Sequence, residues 1–211
     1  MIIPLFPLNM VTFPKTPVPL HIFEEKYKAM LEYCLKEDVM FGIILNQNNT
    51  MNRVGCAMSV TKVFQEYDDG RKDILAVGKR RFRIKSLEDG EAYLRADVDF
   101  FDDLSDESED RGLNKLTTDT LELYKDYLKK LHPTKAEHYQ VFFEKPYHQV
   151  SFRMASAITG EHKLKQRLLE TLSETDRLLE LKHYFAAKVQ MAQSDNPFVR
   201  ELQKKHNFSN N

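Results

Sequence analysis

The chain has 211 residues, 42% hydrophobic and 30% charged, with a formal net charge of -1; that is the make-up of a globular protein with a real core, in one ordinary domain or two small ones. It contains no apolar run near the ~18 residues needed to span a bilayer, which excludes an integral helical membrane protein, and no one-sign field for non-specific binding. Its two cysteines, Cys34 and Cys56, lie far apart in no metal or redox spacing, which predicts a reducing cytoplasm, no zinc and no other cofactor.

The first nineteen residues hold five of the eight prolines: Pro4, Pro7, Pro14, Pro17 and Pro19. A targeting segment would need a basic start and an unbroken apolar core, but the first basic residue is Lys15 and proline interrupts every apolar run. A disordered linker would be poor in aromatics, whereas Phe6, Phe13, Ile22 and Phe23 are interleaved here. Proline lacks the backbone donor and is confined to strand edges, first positions and bulges. The stretch therefore predicts two short strands, at residues 2–5 and 18–20, joined by a rigid turn-rich connection.

Residues 24–37 follow as a helix, with Tyr27, Met30, Leu31, Cys34 and Leu35 on one apolar face and Cys34 as a buried thiol. The continuous apolar run "FGIILN" at 41–46 predicts a central strand. Residues 54–64 make another, and Asp69 with Gly70 marks a hairpin turn. Residues 73–88 return as a strand pair or one bent strand with Gly78 as the bulge. A turn at Asp89 and Gly90 leads to a last strand over 93–101. Six strands and one helix at this short spacing predict a small barrel or a packed pair of sheets.

Residues 99–110 hold seven acidic and no basic side chains, and residues 104–112 are read as an exposed acidic linker. The hydrophobic period then becomes helical. Leu113, Leu116, Leu123, Tyr127, Leu128 and Leu131 trace a first face that His132 and Pro133 end. Thr134 with Glu137 has capping-box spacing for a second helix, stopped by Pro146. A third runs over about 147–158 with Gly160 as its stop, Leu164, Leu168, Leu169 and Leu172 mark a fourth, and Ser173 with Asp176 begins a fifth through Leu178, Leu181, Phe185 and Val189. The organisation expected is α+β: a strand-rich region over 1–103, the linker, a helical bundle over 113–193 and a loosely held tail over 194–211.

The sequence lacks the phosphate-cradling G-x-x-x-x-G-K-[ST], the dinucleotide G-x-G-x-x-G, the G-x-S-x-G elbow and H-E-x-x-H. Glu180 and His183 make a single Glu-x-x-His; a di-metal bundle site needs two, so a solvated helix face is the reading. "GKRRFRIK" places five basic residues among eight. It is either a phosphate-binding strip of Arg80, Arg81, Arg83 and Lys85 with Phe82 to stack on a base, or a strand with Phe82 and Ile84 inward and Arg81, Arg83 and Lys85 facing water or acidic partners. The second reading is favoured, because the strand-rich half carries almost no net charge and a nucleic-acid domain is strongly basic.

"PLFPLNMVTFP" followed by "PVPLHIFEEKY", and then "FGIIL", "VGCAMSV", "DGRKDILAVGKRRFRI", "YLRADVDFF", "VSFRMASAI" and "KQRLLETLSETDRLLEL", resemble in order and spacing the substrate-binding domain of ATP-dependent Lon proteases over about residues 1–193. The resemblance implies a six-stranded PUA-like β-barrel with one packed helix, followed by a carboxy-terminal α-helical bundle. It implies a module that recognises unfolded or peptide segments or a protein partner, an adaptor or regulator in proteolysis; no membrane partner is expected, and nucleic acid is the less favoured partner. The ATPase and Ser-Lys peptidase modules of full Lon proteases are not found, so no catalytic activity and no catalytic residue are expected. Phe13, Phe23 and Tyr67, in or near loops, are the candidate peptide-binding residues, although large aromatics are more often core. His21 is read as a structural histidine meeting backbone groups at the start of the first helix. RNA binding through Arg80, Arg81, Arg83 and Lys85 is the alternative.

Overall fold

The computed structural model describes residues 1–88, 92–104, 111–131 and 149–194. The expected turn at Asp89 and Gly90, the acidic residues 105–110, the helix over 134–146 and the tail from 195 onward lie outside the described residues. The elements are β1 (Ile2–Leu8), β2 (Pro17–Ile22), α1 (Glu25–Glu37), β3 (Phe41–Gln47), β4 (Thr50–Glu66), β5 (Lys72–Glu88), β6 (Arg95–Phe101), α2 (Arg111–Leu131), α3 (Val150–Ser156), α4 (His162–Glu170) and α5 (Glu174–Ser194). The six strands form one mixed sheet in the order β2-β5-β4-β3-β1-β6, and β6 also pairs with β5.

The prolines are accommodated by register. In β1, residues 2–4 pair with β6 and residues 5–8 pair in parallel with β3, so Pro4 and Pro7 each have a ladder partner on one side only. That lets β1 run to Leu8, past the expected end at residue 5. Pro17 and Pro19 lie in β2, which pairs only with β5, and both point outward, as an edge strand allows.

Strand β5 is a single bent strand. Ala57 pairs with Arg80 and Met58 with Gly78, which leaves Lys79 as the extra residue of a bulge. Gly78 is required there for space: a Cβ would overlap the Phe13 carbonyl oxygen, since the Gly78 carbonyl accepts from Lys15 N at 2.8 Å and its amide donates to Thr16 O at 3.1 Å. The bend gives β5 two partner sets, β2 at residues 72–77 and β6 at residues 81–88.

The chain divides into two compact units, Met1–Leu104 with Phe152–Leu172, and the remaining described residues 111–131, 149–151 and 173–194. In the first, Tyr27, Met30, Leu31 and Cys34 of α1 pack on Phe6, Ile22, Phe41, Met58 and Ile74 of the sheet, while Leu35, expected on that face, is exposed. A second cluster gathers Ile3, Leu5, Ile44, Phe82, Ile84 and Val98. α4 is tied to the sheet by Gln166 Nε2, which donates to Val54 O at 3.1 Å.

In the second unit α2 and α5 pack on each other, with Phe185 5.3 Å and 5.1 Å from the rings of Tyr124 and Tyr127. Buried Glu174 accepts from Ser151 N at 3.0 Å, from Ser151 Oγ at 2.6 Å and from Arg177 Nη2 at 2.6 Å. Each oxygen of this buried carboxylate thus meets at least one donor, which offsets the cost of taking it out of water. Among the described residues no helix is long and apolar enough to cross a membrane.

Candidate functional site

Strand alternation gives the three-stranded part of the sheet, β2 with residues 72–77 of β5 and 59–66 of β4, two unlike faces. Val18, Ile22, Ile74 and Ala76 turn into the core, and Pro17, Pro19, His21, Asp73, Leu75 and Val77 turn outward. His21 and Asp73 are direct ladder partners, and His21 Nδ1 lies 2.6 Å from Asp73 Oδ1. Tyr67, at the hairpin turn, donates its hydroxyl to Asp73 Oδ2 at 2.7 Å. One carboxylate therefore holds two rings.

Two further groups complete the cluster. The Phe23 ring stacks on His21 with centroids 5.8 Å apart, and Tyr67 meets His21 edge-on at 6.1 Å. The Arg71 guanidinium lies 4.9 Å over the Tyr67 ring and pairs with Asp69 at 2.7 Å. Phe23 remains 58% exposed, a large apolar ring held at the surface by a rigid neighbour. Hydrogen bonds from His21 and then Tyr67 hold the Asp73 carboxyl below its ordinary value of 3.8, and the same bond to Asp73 raises the Tyr67 phenol.

Beside this face, residues 59–66 of β4 have ladder partners only in β5, because pairing with β3 ends at Met58. Val63 and Phe64 on that stretch are exposed at 38% and 53%. A half-paired strand presents backbone donors and acceptors to solvent and can take up an extended chain.

Of the three expected peptide-binding residues, the structure brings Phe23 and Tyr67 together around His21 and leaves Phe13 elsewhere. Phe13 is 0% exposed, stacked on Phe152 at 5.7 Å within the core. His21 meets the Asp73 carboxylate rather than backbone at the start of α1, a correction with a plain cause: β2 and β5 are fifty residues apart in sequence, and only their ladder makes the two side chains neighbours. No local signal in the sequence marks Asp73.

Most of the basic strip meets partners, and Arg81 takes the acidic-partner branch of the strand reading, paired with Asp103 at 2.6 Å. Arg81 does not face water: it is 1% exposed, between the rings of Phe101 and Phe152, and donates to Leu169 O and Thr171 O at 3.0 and 2.7 Å. The segment Phe152–Leu172 covers that face of β5. Arg80 pairs with Asp102 at 2.6 Å, and Lys85 with Asp97 and Asp99 at 2.8 and 3.3 Å. Arg83 is exposed, with its guanidinium 5.7 Å from the Phe101 ring.

The hydrogen-bonded members of the cluster are an imidazole, a carboxylate and a phenol, which bind and orient but include no activated nucleophile. Both cysteines are free and buried, and burial pushes each thiol up to about 12. Among the described residues no group of three or more His, Cys, Asp and Glu side chains could hold a metal ion.

A family model described as the ATP-dependent protease La (LON) substrate-binding domain matches residues 2–185. The chain is 26% identical over 207 residues to Lon protease 1 of Hydrogenovibrio crunogenus, covering 93% of this chain and 25% of that protein. It is 23% identical over 201 residues to the Lon protease of Cytophaga hutchinsonii, covering 90% of this chain and 24% of that protein. The chain thus spans about a quarter of the length of these curated relatives. Among solved structures it is similar to a Lon N-terminal domain protein from Xanthomonas campestris, with a TM-score of 0.66, 20% identity, 86% of this chain and 96% of that chain covered. It is also similar to the N-terminal domain of Mycobacterium avium complex Lon protease, with a TM-score of 0.67, 18% identity, and 88% and 98% covered.

Proposed function

The chain belongs to the LON substrate-binding domain family, and from that premise we propose that it is a polypeptide-recognition module that receives extended or unfolded segments on the outward face of β2, β5 and β4. The observation that carries this reading is the exposed Phe23 ring, stacked on His21 and backed by the carboxylate that also fixes Tyr67, beside a half-paired stretch of β4. Rigid aromatics offer large contact area at little conformational cost, and a free strand edge binds main chain whatever its sequence. Such a surface suits a partner that is varied in sequence and extended in shape.

The module acts as an adaptor or regulator in proteolysis, without a reaction of its own. The ring of pairings β1-β3-β4-β5-β6-β1 supports reading the sheet as a PUA-like barrel, and the packing of α2 on α5 supports a helical part over residues 113–193. Two unpaired buried cysteines support a cytoplasmic location. The ion pairs of Arg80 and Lys85 favour a protein partner over RNA, since cations already paired with carboxylates are less available to displace the counterions condensed on a phosphate chain.

The test is fluorescence anisotropy with labelled, reduced and carboxymethylated lactalbumin, a permanently unfolded probe. Binding by the wild type that weakens about tenfold in Phe23→Ala, in the range of an aromatic anchor, is the expected result. Unchanged affinity in Phe23→Ala and Tyr67→Ala removes this face from the account, and the absence of any binding by the folded wild type removes the function.

A further inference from the structure

Strand β4 carries two bulges in the stretch that pairs only with β5. Val60 faces Ala76, Lys62 faces Leu75, Val63 faces Ile74 and Gln65 faces Asp73, so Thr61 and Phe64 are the extra residues. A bulge sets two residues against one and re-aims a side chain. Thr61 and Lys62 together oppose Leu75, and Phe64 and Gln65 together oppose Asp73, all on the outward face. The Lys62 ammonium lies 5.0 Å over the Phe64 ring, as two side chains on one side must. The bulges also break the even spacing of edge donors and acceptors, so the main-chain pairing this edge offers is short.

Phe64, 53% exposed, therefore stands at one edge of a row whose other edge is closed by Phe23, 58% exposed, with His21, Asp73 and Tyr67 between them. His21 and Phe64 are two strand spacings apart, about 9.6 Å. An extended β-strand returns a side chain to one face every two residues, about 6.7 Å, and misses that distance. A polyproline II chain returns one every three residues, about 9.3 Å, and meets it. The hydrogen-bonding groups agree. The carboxylates of the row are taken, Asp73 by His21 and Tyr67 and Asp69 by Arg71, while Lys62 makes no ion pair or hydrogen bond among the described residues. A polyproline II chain has no internal hydrogen bonds and presents free carbonyls along its length. A helix, whose carbonyls are bonded internally, would leave Lys62 unused.

We infer that this row holds a polypeptide segment in the polyproline II conformation, with one large apolar side chain on Phe64, a second three residues away on the Phe23 and His21 rings, and a carbonyl beside the first accepting from Lys62. The inference rests on the polypeptide-recognition reading above and gives it a substrate class. Polyproline II is a major conformation of unfolded chains and the preferred one of proline-rich segments, and aromatic rings bind it at low entropic cost.

The probes are two labelled octapeptides of one composition, Pro-Pro-Phe-Pro-Pro-Phe-Pro-Pro with the rings three residues apart and Pro-Pro-Pro-Phe-Pro-Phe-Pro-Pro with them two apart, followed by anisotropy. The first is expected to bind about tenfold more tightly, the worth of one aromatic anchor, and carboxymethylated lactalbumin displaces it. Phe64→Ala, an exposed substitution whose fold is checked by its thermal midpoint, brings the two peptides level, and Lys62→Met weakens the first. Equal binding of the two by the wild type, a preference that survives Phe64→Ala, or no displacement by lactalbumin overturns the inference. So does the absence of any peptide binding, and lactalbumin still bound by the wild type in that case shows that the polypeptide reading stands without this conformation.

Discussion

Arg81 Nη2 donates to Asp103 Oδ1 at 2.6 Å, with the arginine side chain 1% and the aspartate side chain 11% exposed. The pair closes a junction between β5, the end of the sheet region and the segment that carries α4, because the other guanidinium nitrogen bonds Leu169 O and Thr171 O. Taking one partner out of such a junction strands the other. Arg81→Ala is expected to cost about 3–5 kcal/mol, read as a lowered urea midpoint, whereas Arg80→Ala, at the exposed pair with Asp102, changes it by less than about 1 kcal/mol. Equal effects of the two substitutions contradict this assignment.

Gly78 and Gly160 make a second contrast. A Cβ on Gly78 overlaps the Phe13 carbonyl, which is backbone and cannot rotate away, and Gly78→Ala is expected to destabilise by about 1–3 kcal/mol or more. Gly160 has open space around it but a φ of +66°, so Gly160→Ala costs about 1–2 kcal/mol from backbone conformation alone. Restoring room by Phe13→Ala cannot rescue Gly78→Ala, since the clash is with main chain; rescue in a double mutant would refute the geometry.

Acid stability depends on Asp73. Its carboxyl lies below the ordinary 3.8 when folded, with the His21 hydrogen bond the largest cause, so the stabilisation is present above that ordinary value and is lost as pH falls through the lower folded value. Asp73→Asn therefore flattens the fall of the urea midpoint below about pH 4 relative to wild type. The midpoint measured from pH 2 to 6 checks this, and a wild-type slope preserved in the variant assigns the acid limb elsewhere.

The two thiols, pushed up to about 12 by burial, are protonated at pH 8 and closed to reagent. Labelling by a chromogenic disulfide is expected to be negligible in native buffer and to proceed for both cysteines only on unfolding in urea. Prompt modification of either thiol in the folded protein would place it at the surface.

How far the fold was legible varies by element. The helix over α1, the central strand at Phe41 and the hairpin at Asp69 and Gly70 follow from short-range pattern and are where the pattern puts them, and the bulge falls one residue past Gly78, at Lys79. The burial of Arg81 was not legible: a strand reading sends alternate residues to water, and only the return of residues 152–172 to the sheet covers that side. Phe23 and Tyr67 were visible as aromatics near loops, but not as neighbours, because His21 and Asp73 join them through a ladder between strands far apart in the chain.

The sequence by itself determined the local elements, the strand-rich and helical halves and the family resemblance, because hydrophobic period, turn residues and motif order act over a few residues each. Tertiary structure alone decided which outward side chains meet and which cation is buried. Those outcomes depend on pairing and covering by distant segments, and the free energy of a side chain is set by what surrounds it rather than by what precedes it.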